Sequence, residues 1–154
     1  MRKFNEADRK RKKKRIRIGE NPAALFPEVI SQLEDKVRTS LKDGYLPCAI
    51  AFGIAREAGV PKIAIGEIAD RLGIRVTDCQ LGCFKVDKTI SDNSVPRSGD
   101  DKIVTRLKSL KADGELTCPG LFDLARQLKL SPRAIAEVAN TRGFKVHNCQ
   151  LGCF

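Results

Sequence analysis

The sequence predicts an all-α protein in which one helical unit occurs twice, because the chain repeats itself and its apolar residues recur at helical spacing. When it is shifted by 70 positions, residues 43–84 align with residues 113–154 without a gap, and 19 of the 42 pairs are identical. The closing hexapeptide Cys-Gln-Leu-Gly-Cys-Phe is the same at 79–84 and 149–154. A repeat of this length indicates tandem duplication of one supersecondary unit.

Each copy is preceded by a predicted amphipathic helix. The first runs from about Pro27 to Lys42 and the second from about Asp101 to Lys111. Proline suits the first turn of a helix, as at Pro27. The apolar residues at helical spacing are Val29, Ile30, Leu33, Val37 and Leu41 in the first, and Ile103, Val104, Leu107 and Leu110 in the second.

Two further helices are predicted inside each repeat. In the first copy, residues 48–58 are apolar and helix-prone, and Gly59-Val60-Pro61 ends that helix. The next helix, about 64–72, carries its apolar residues on one face, and Gly73 ends it as a left-handed cap. The sequence therefore predicts three helices per unit before the closing segment is considered.

The closing segment, residues 76–84, allows two structures. Thr77-Asp78-Cys79-Gln80 matches a capping box, which favours a third helix. The alternation of Thr77, Cys79, Leu81 and Cys83 favours a strand, and Gly82 would cost a helix about 1 kcal/mol.

The stretch from Ile65 to Cys79 resembles the core of the helix-turn-helix DNA-binding motif. The small, turn and apolar positions of that motif fall on Ala69, Gly73, Ile74 and Cys79, and in the second copy on Ala139, Gly143, Phe144 and Cys149. The resemblance implies that the closing segment is a recognition helix entering the major groove. Its outward residues would be Arg75, Thr77 and Gln80, with Lys145, His147 and Gln150 in the second copy. The glutamines would bind adenine, and Arg75 and Lys145 would bind phosphate or guanine.

A second register of the same motif lies one helix upstream. It uses Ala55, Gly59 and Ile65, which correspond to Ala125, Lys129 and Ile135 in the second copy. Lys129 replaces the turn glycine there, so the downstream register, which has glycine in both copies, is favoured.

The net charge of +10 is concentrated in residues 1–20, the basic arm, where ten basic residues stand against three acidic ones. The basic residues are Arg2, Lys3, Arg9, Lys10, Arg11, Lys12, Lys13, Lys14, Arg15 and Arg17. Such a run predicts a disordered arm that binds polyanions such as nucleic acid, or one that only solubilises the chain. The repeats themselves are close to neutral, which is unusual for a DNA-binding module.

The six cysteines occupy the same three places in each copy, at Cys48, Cys79 and Cys83 and at Cys118, Cys149 and Cys153. If the closing segment is helical, Cys79 and Cys83 share one face, and with Cys48 they could hold zinc or an iron-sulfur cluster. They could also form a thiol redox switch. Burial as small apolar residues explains the same pattern without a cofactor.

The remaining predictions concern class and organisation. The sequence shows no apolar run long enough for a membrane span, no secretory signal and no nucleotide-binding or nucleophile motif, so we expect a cytoplasmic protein that is not an enzyme. The expected parts are the arm 1–20, a first unit 21–84, a polar linker 85–100 and a second unit 101–154. The expected function is regulatory binding of duplex DNA. The alternatives are a helical protein-interaction module, or a cysteine-based metal or redox sensor, whose tail binds RNA or another polyanion.

Overall fold

The computed structural model describes residues 6–7, 10, 25–83 and 100–153. Residues 25–83 and 100–153 form six helices and one small parallel sheet: α1 (Pro27–Thr39), β1 (Leu46–Pro47), α2 (Cys48–Ala58), α3 (Lys62–Arg71), β2 (Val76–Thr77), α4 (Asp100–Ala112), α5 (Cys118–Leu128) and α6 (Pro132–Thr141). The predicted helical fold class is confirmed, with three helices in each of two groups. None of the helices described is long and apolar enough to cross a membrane.

The compact units differ from the sequence repeats at one point. Unit 1 contains the chain up to Cys79 together with Gln150–Phe154, and unit 2 contains Gln80–Cys149. The division thus falls inside the hexapeptide, whereas the sequence repeat ends after it. The predicted linker lies outside the described residues except for Asp100, where α4 begins.

In unit 1, α3 packs against both α1 and α2. Helix α1 buries Leu33 and Val37, and α3 buries Ile65 and Ile68 against them. Strand β1 pairs in parallel with β2, so that Leu46 lies opposite Val76. At the surface, a 2.8 Å ion pair joins Lys36 of α1 to Glu57 of α2. The hydrogen bond and positive charge of Lys36 lower the pKa of Glu57.

Unit 2 repeats this arrangement, with α6 packed against α4 and α5. Ile103 and Leu107 occupy the positions of Leu33 and Val37 and are equally buried. The sheet is reduced to one parallel bridge between Thr117 and His147. Side-chain caps begin both α5, at Thr117, and α6, at Ser131.

The turn after the second helix of each unit is left-handed in both copies. Gly59 ends α2 with a φ of 65°, and Lys129 ends α5 with a φ of 55°. In each case, the residue after the turn donates its backbone N–H to the carbonyl oxygen of a buried alanine in the helix, Ala55 or Ala125. A lysine at this turn is strained because its Cβ approaches the carbonyl oxygen in the left-handed region.

Replacing Lys129 with Gly is therefore expected to raise the free energy of unfolding by about 1 kcal/mol. Urea unfolding followed by circular dichroism measures the change. Lys129→Ala is the matched control, since it removes the charge and keeps the Cβ. A gain of the same size from Ala would show that the side chain, and not the backbone strain, is responsible.

Candidate nucleic-acid interface

The closing segment of each repeat is not a helix, so the prediction of a recognition helix there is wrong. In the first copy, the chain forms the short strand β2 and then bends and turns as far as Cys83. Asp78 and Asn148 have φ values of 50° and 53°, and Gly82 and Gly152 are also left-handed. Two left-handed residues within five positions cannot be part of an α-helix, and the capping-box pattern is not used.

The two consecutive helices that a short turn joins in each copy are those of the upstream register. Helices α2 and α3 pack against each other and are joined by the short turn that starts at Gly59, and Ala55 of α2 and Ile65 of α3 are buried. In unit 2, α5 packs against α6, and the corresponding residues Ala125 and Ile135 are also buried. The prediction of the downstream register was wrong because Lys129 adopts the left-handed turn that glycine would otherwise provide. Gly73, with a φ of 71°, follows α3 as the predicted left-handed cap.

The outward face of α3 is covered by the C-terminal residues. A Cβ placed on Gly66 would lie 1.9 Å from the backbone oxygen of Leu151, and Leu151 is fully buried. The Lys62 ammonium donates a 3.0 Å hydrogen bond to Oε1 of Gln150 and lies 4.8 Å from the centre of the Phe52 ring. In the upstream register, this face would approach DNA, and here protein occupies it.

The six predicted base-reading residues are in different surroundings. Arg75, Thr77 and Gln80 are half-buried, and the Nε atom of Arg75 is shielded from solvent. Gln150 is half-buried on Lys62. Lys145 and His147, in contrast, are exposed.

Lys145 and His147 line one groove of unit 2, together with Lys111 from the last turn of α4. The groove has a volume of about 420 Å³, and its other lining residues are Gly114, Leu116 and Gly143. Backbone pairing positions His147, whose N–H donates to Leu116 and whose carbonyl accepts from Cys118. The ring of Phe144 lies 6.0 Å from the Lys111 ammonium. We call the groove lined by Lys111, Gly114, Leu116, Gly143, Lys145 and His147 the basic groove.

No acidic side chain in the described residues forms a salt bridge with the three basic side chains of the groove. Lys111 and Lys145 therefore concentrate positive charge at one concave surface, beside the imidazole of His147. The sequence predicted Lys145 and His147 as binding residues but did not predict Lys111. Lys111 could have been recognised because it replaces Leu41, which lies 70 positions earlier.

The cysteines do not form the predicted three-ligand site in the described part of the chain. Cys48, Cys79, Cys118 and Cys149 are buried, Cys153 is half-buried and Cys83 is exposed. Across the described ranges, no three His, Cys, Asp or Glu side chains lie together in a way that could hold a metal ion. Cys79 and Cys83 do not share a helical face because their segment is not helical. Burial as small apolar side chains accounts for four of the six positions.

Most of the basic arm falls outside the described residues. Glu6, Ala7 and Lys10 are described, and all three are helical and exposed, so the prediction of a disordered arm is wrong at these three residues. The predicted contacts of Arg9, Arg11, Lys12, Lys13, Lys14, Arg15 and Arg17 lie outside the described residues.

Comparison with protein-family models, with characterised proteins and with solved structures finds no match to this chain. The resemblance to the helix-turn-helix motif therefore stays a prediction. The features of the chain that bear on its function are the basic groove and the charge of the basic arm.

Proposed function

We propose that this chain is a cytoplasmic regulatory protein, not an enzyme, that binds nucleic acid, with duplex DNA as its partner. The observation that carries the proposal is the convergence of Lys111, Lys145 and His147 on one groove. Cations gathered on a concave surface attract a polyanion more strongly than the same charges spread over a convex one.

The groove suits the phosphate backbone better than it suits base edges. Lysine ammonium groups are compact point charges that bind phosphate without a fixed orientation. Gly114 and Gly143 contribute no side chain to the lining, so a phosphodiester can approach the backbone closely. Contacts of this kind fix the position of a protein on DNA and carry little sequence information.

The basic arm supplies most of the positive charge for the same interaction. Its net charge of +7 compares with repeats that are close to neutral. Each phosphate neutralised by Lys or Arg releases condensed counterions, which makes binding favourable at low salt. The arm thus supplies affinity, and the groove adds a fixed point of contact.

The surfaces of α3 and α6 favour contact with the DNA backbone over insertion of either helix into the major groove. Leu151 covers α3 at Gly66, and the exposed residues of α6 are Glu137, Asn140 and Thr141. An acidic side chain at the centre of a recognition surface would repel the phosphates beside it.

Fluorescence anisotropy of a labelled duplex of about 20 base pairs tests the proposal. The full chain is expected to bind at about 50 mM salt, and its affinity is expected to fall about 100-fold or more by about 200 mM. The Lys111→Ala/Lys145→Ala double variant is expected to bind about 10-fold more weakly at the lower salt concentration, because two phosphates are no longer neutralised. Lys42→Ala, which removes one exposed lysine from unit 1, is expected to change the affinity by less than about twofold.

Gln80→Ala and Gln150→Ala separate backbone contact from base recognition. Both variants are expected to retain wild-type affinity once circular dichroism confirms that they are folded. A larger reduction in affinity from the glutamine variants than from the groove variant would contradict the proposed groove contact. Absence of duplex binding by the full chain at low salt would favour the rival function, a helical protein-interaction module.

A further inference from the structure

The two repeats differ at the positions that make the groove of unit 2 basic. Lys111 and His147 align with Leu41 and Thr77 of the first repeat. The other three lining residues of the groove are identical in both copies, because Gly114, Leu116 and Gly143 align with Gly44, Leu46 and Gly73. The duplication therefore retained these three lining residues, whereas two of the three basic residues of the groove have uncharged counterparts in the first repeat.

The difference at Lys111 is accompanied by a difference in the local backbone. Helix α4 continues to Ala112, whereas α1 ends at Thr39, which aligns with Ser109. Lys111 is thus exposed in the last turn of its helix, where a cation is stabilised by the helix dipole. Its counterpart Leu41 lies beyond the end of α1 and is half-buried.

Lys145 is the one basic residue of the groove whose counterpart, Arg75, is also basic, but the two side chains differ in exposure. Lys145 is exposed and lines the groove. Arg75, its counterpart, is half-buried with its Nε atom shielded from solvent. A buried part of the guanidinium cannot be reached by a phosphate from solution, although its charge is retained.

We infer that the two repeats differ in function, so that the basic groove of unit 2 binds phosphate and the corresponding surface of the first repeat does not. The inferred site consists of Lys111, Lys145 and His147, together with Gly114, Leu116 and Gly143 of the same groove. Its ligand class is a phosphodiester or a free oligophosphate. This inference rests on the proposed function for the identity of the natural ligand.

Two titrations of the full chain test the inference, with inorganic pyrophosphate and with the labelled duplex as probes. In amide NMR spectra, pyrophosphate is expected to shift residues 111–116 and 143–147 and to leave residues 41–46 and 73–77 unchanged. The Lys111→Leu/His147→Thr variant, which gives these two positions the residues of the first repeat, is expected to weaken pyrophosphate binding, followed through the shifts of residues 111–116 and 143–147, at least about 10-fold. It is also expected to weaken duplex binding about fivefold, the effect of removing one surface cation.

Lys42→Leu is the matched control, because it removes an exposed lysine from unit 1 by the same substitution. It is expected to leave both affinities within about twofold of wild type. Equal shifts in the two units, or no shift at the groove, would overturn the inference even if the duplex is bound. Selective pyrophosphate binding at unit 2 by a chain that does not bind the duplex would support this site and refute the proposed function.

Discussion

Replacing Gly66 with Ala is expected to lower the free energy of unfolding by about 3 kcal/mol. The new Cβ would lie 1.9 Å from the Leu151 oxygen and 2.7 Å from its carbonyl carbon. Because both atoms belong to the backbone, the clash cannot be relieved by turning a side chain. Either α3 or the C-terminal segment must move, which exposes the buried side chain of Leu151.

The chain offers a matched control for this substitution at Gly53. Gly53 lies within α2, and a Cβ placed there meets no atom within 4 Å. Gly53→Ala is therefore expected to stabilise the protein by up to about 1 kcal/mol, since alanine favours the helix. Urea unfolding of both variants measures the two effects.

A deletion of residues 150–154 completes the test. In the shortened chain, Gly66→Ala has no segment to collide with, and it should become neutral or stabilising. If the substitution costs the same with and without residues 150–154, the docking of Leu151 on Gly66 is not the cause.

Deleting residues 1–20 is expected to reduce duplex DNA affinity about 100-fold at about 100 mM salt. The arm contributes ten of the basic residues of the chain. Each phosphate that the protein no longer neutralises reduces the slope of log affinity against log salt by about 0.9, so removing about five such contacts reduces it by about 4.5. Anisotropy titrations at several salt concentrations give both the affinity and the slope.

A full-length chain with glutamine at Lys12, Lys13 and Lys14 is the control for this deletion. It keeps the length of the arm and removes three charges, so its slope should fall by about 2.7. An unchanged slope in both chains would show that the arm serves solubility and does not contact DNA.

Local patterns predicted the helices well because local physics specifies them. The duplication, the apolar spacing and the breaks at Gly59 and Gly73 anticipated each helix to within a few residues. Lys129 was misjudged because the turn imposes a left-handed backbone on whichever residue stands there. Of the two structures predicted for the closing segment, the strand is present at Val76–Thr77 and the helix is absent, because Asp78 and Asn148 adopt left-handed conformations that a capping-box pattern does not reveal.

The features that depend on distant residues were the ones that the sequence did not predict. Leu151 lies 85 positions from Gly66, and only a glycine inside a helix hinted that another backbone comes close. The basic groove brings Lys111 of α4 beside Lys145 and His147, which requires the packing of α4 against α6. The alternation or spacing of residues within one segment contains no information on such a contact.

Amide NMR of the full chain titrated with duplex DNA shows which residues the duplex contacts, and it therefore tests binding at the basic groove directly. We expect the largest shifts at residues 111–116 and 143–147, which contain the six residues of the basic groove, and in the basic arm. We expect small shifts at Glu67 and Asp70 of α3 and at Glu137 and Asn140 of α6. Shifts concentrated on those helix faces, or no shift at the groove at a salt concentration where DNA is bound, would contradict the proposed mode of binding.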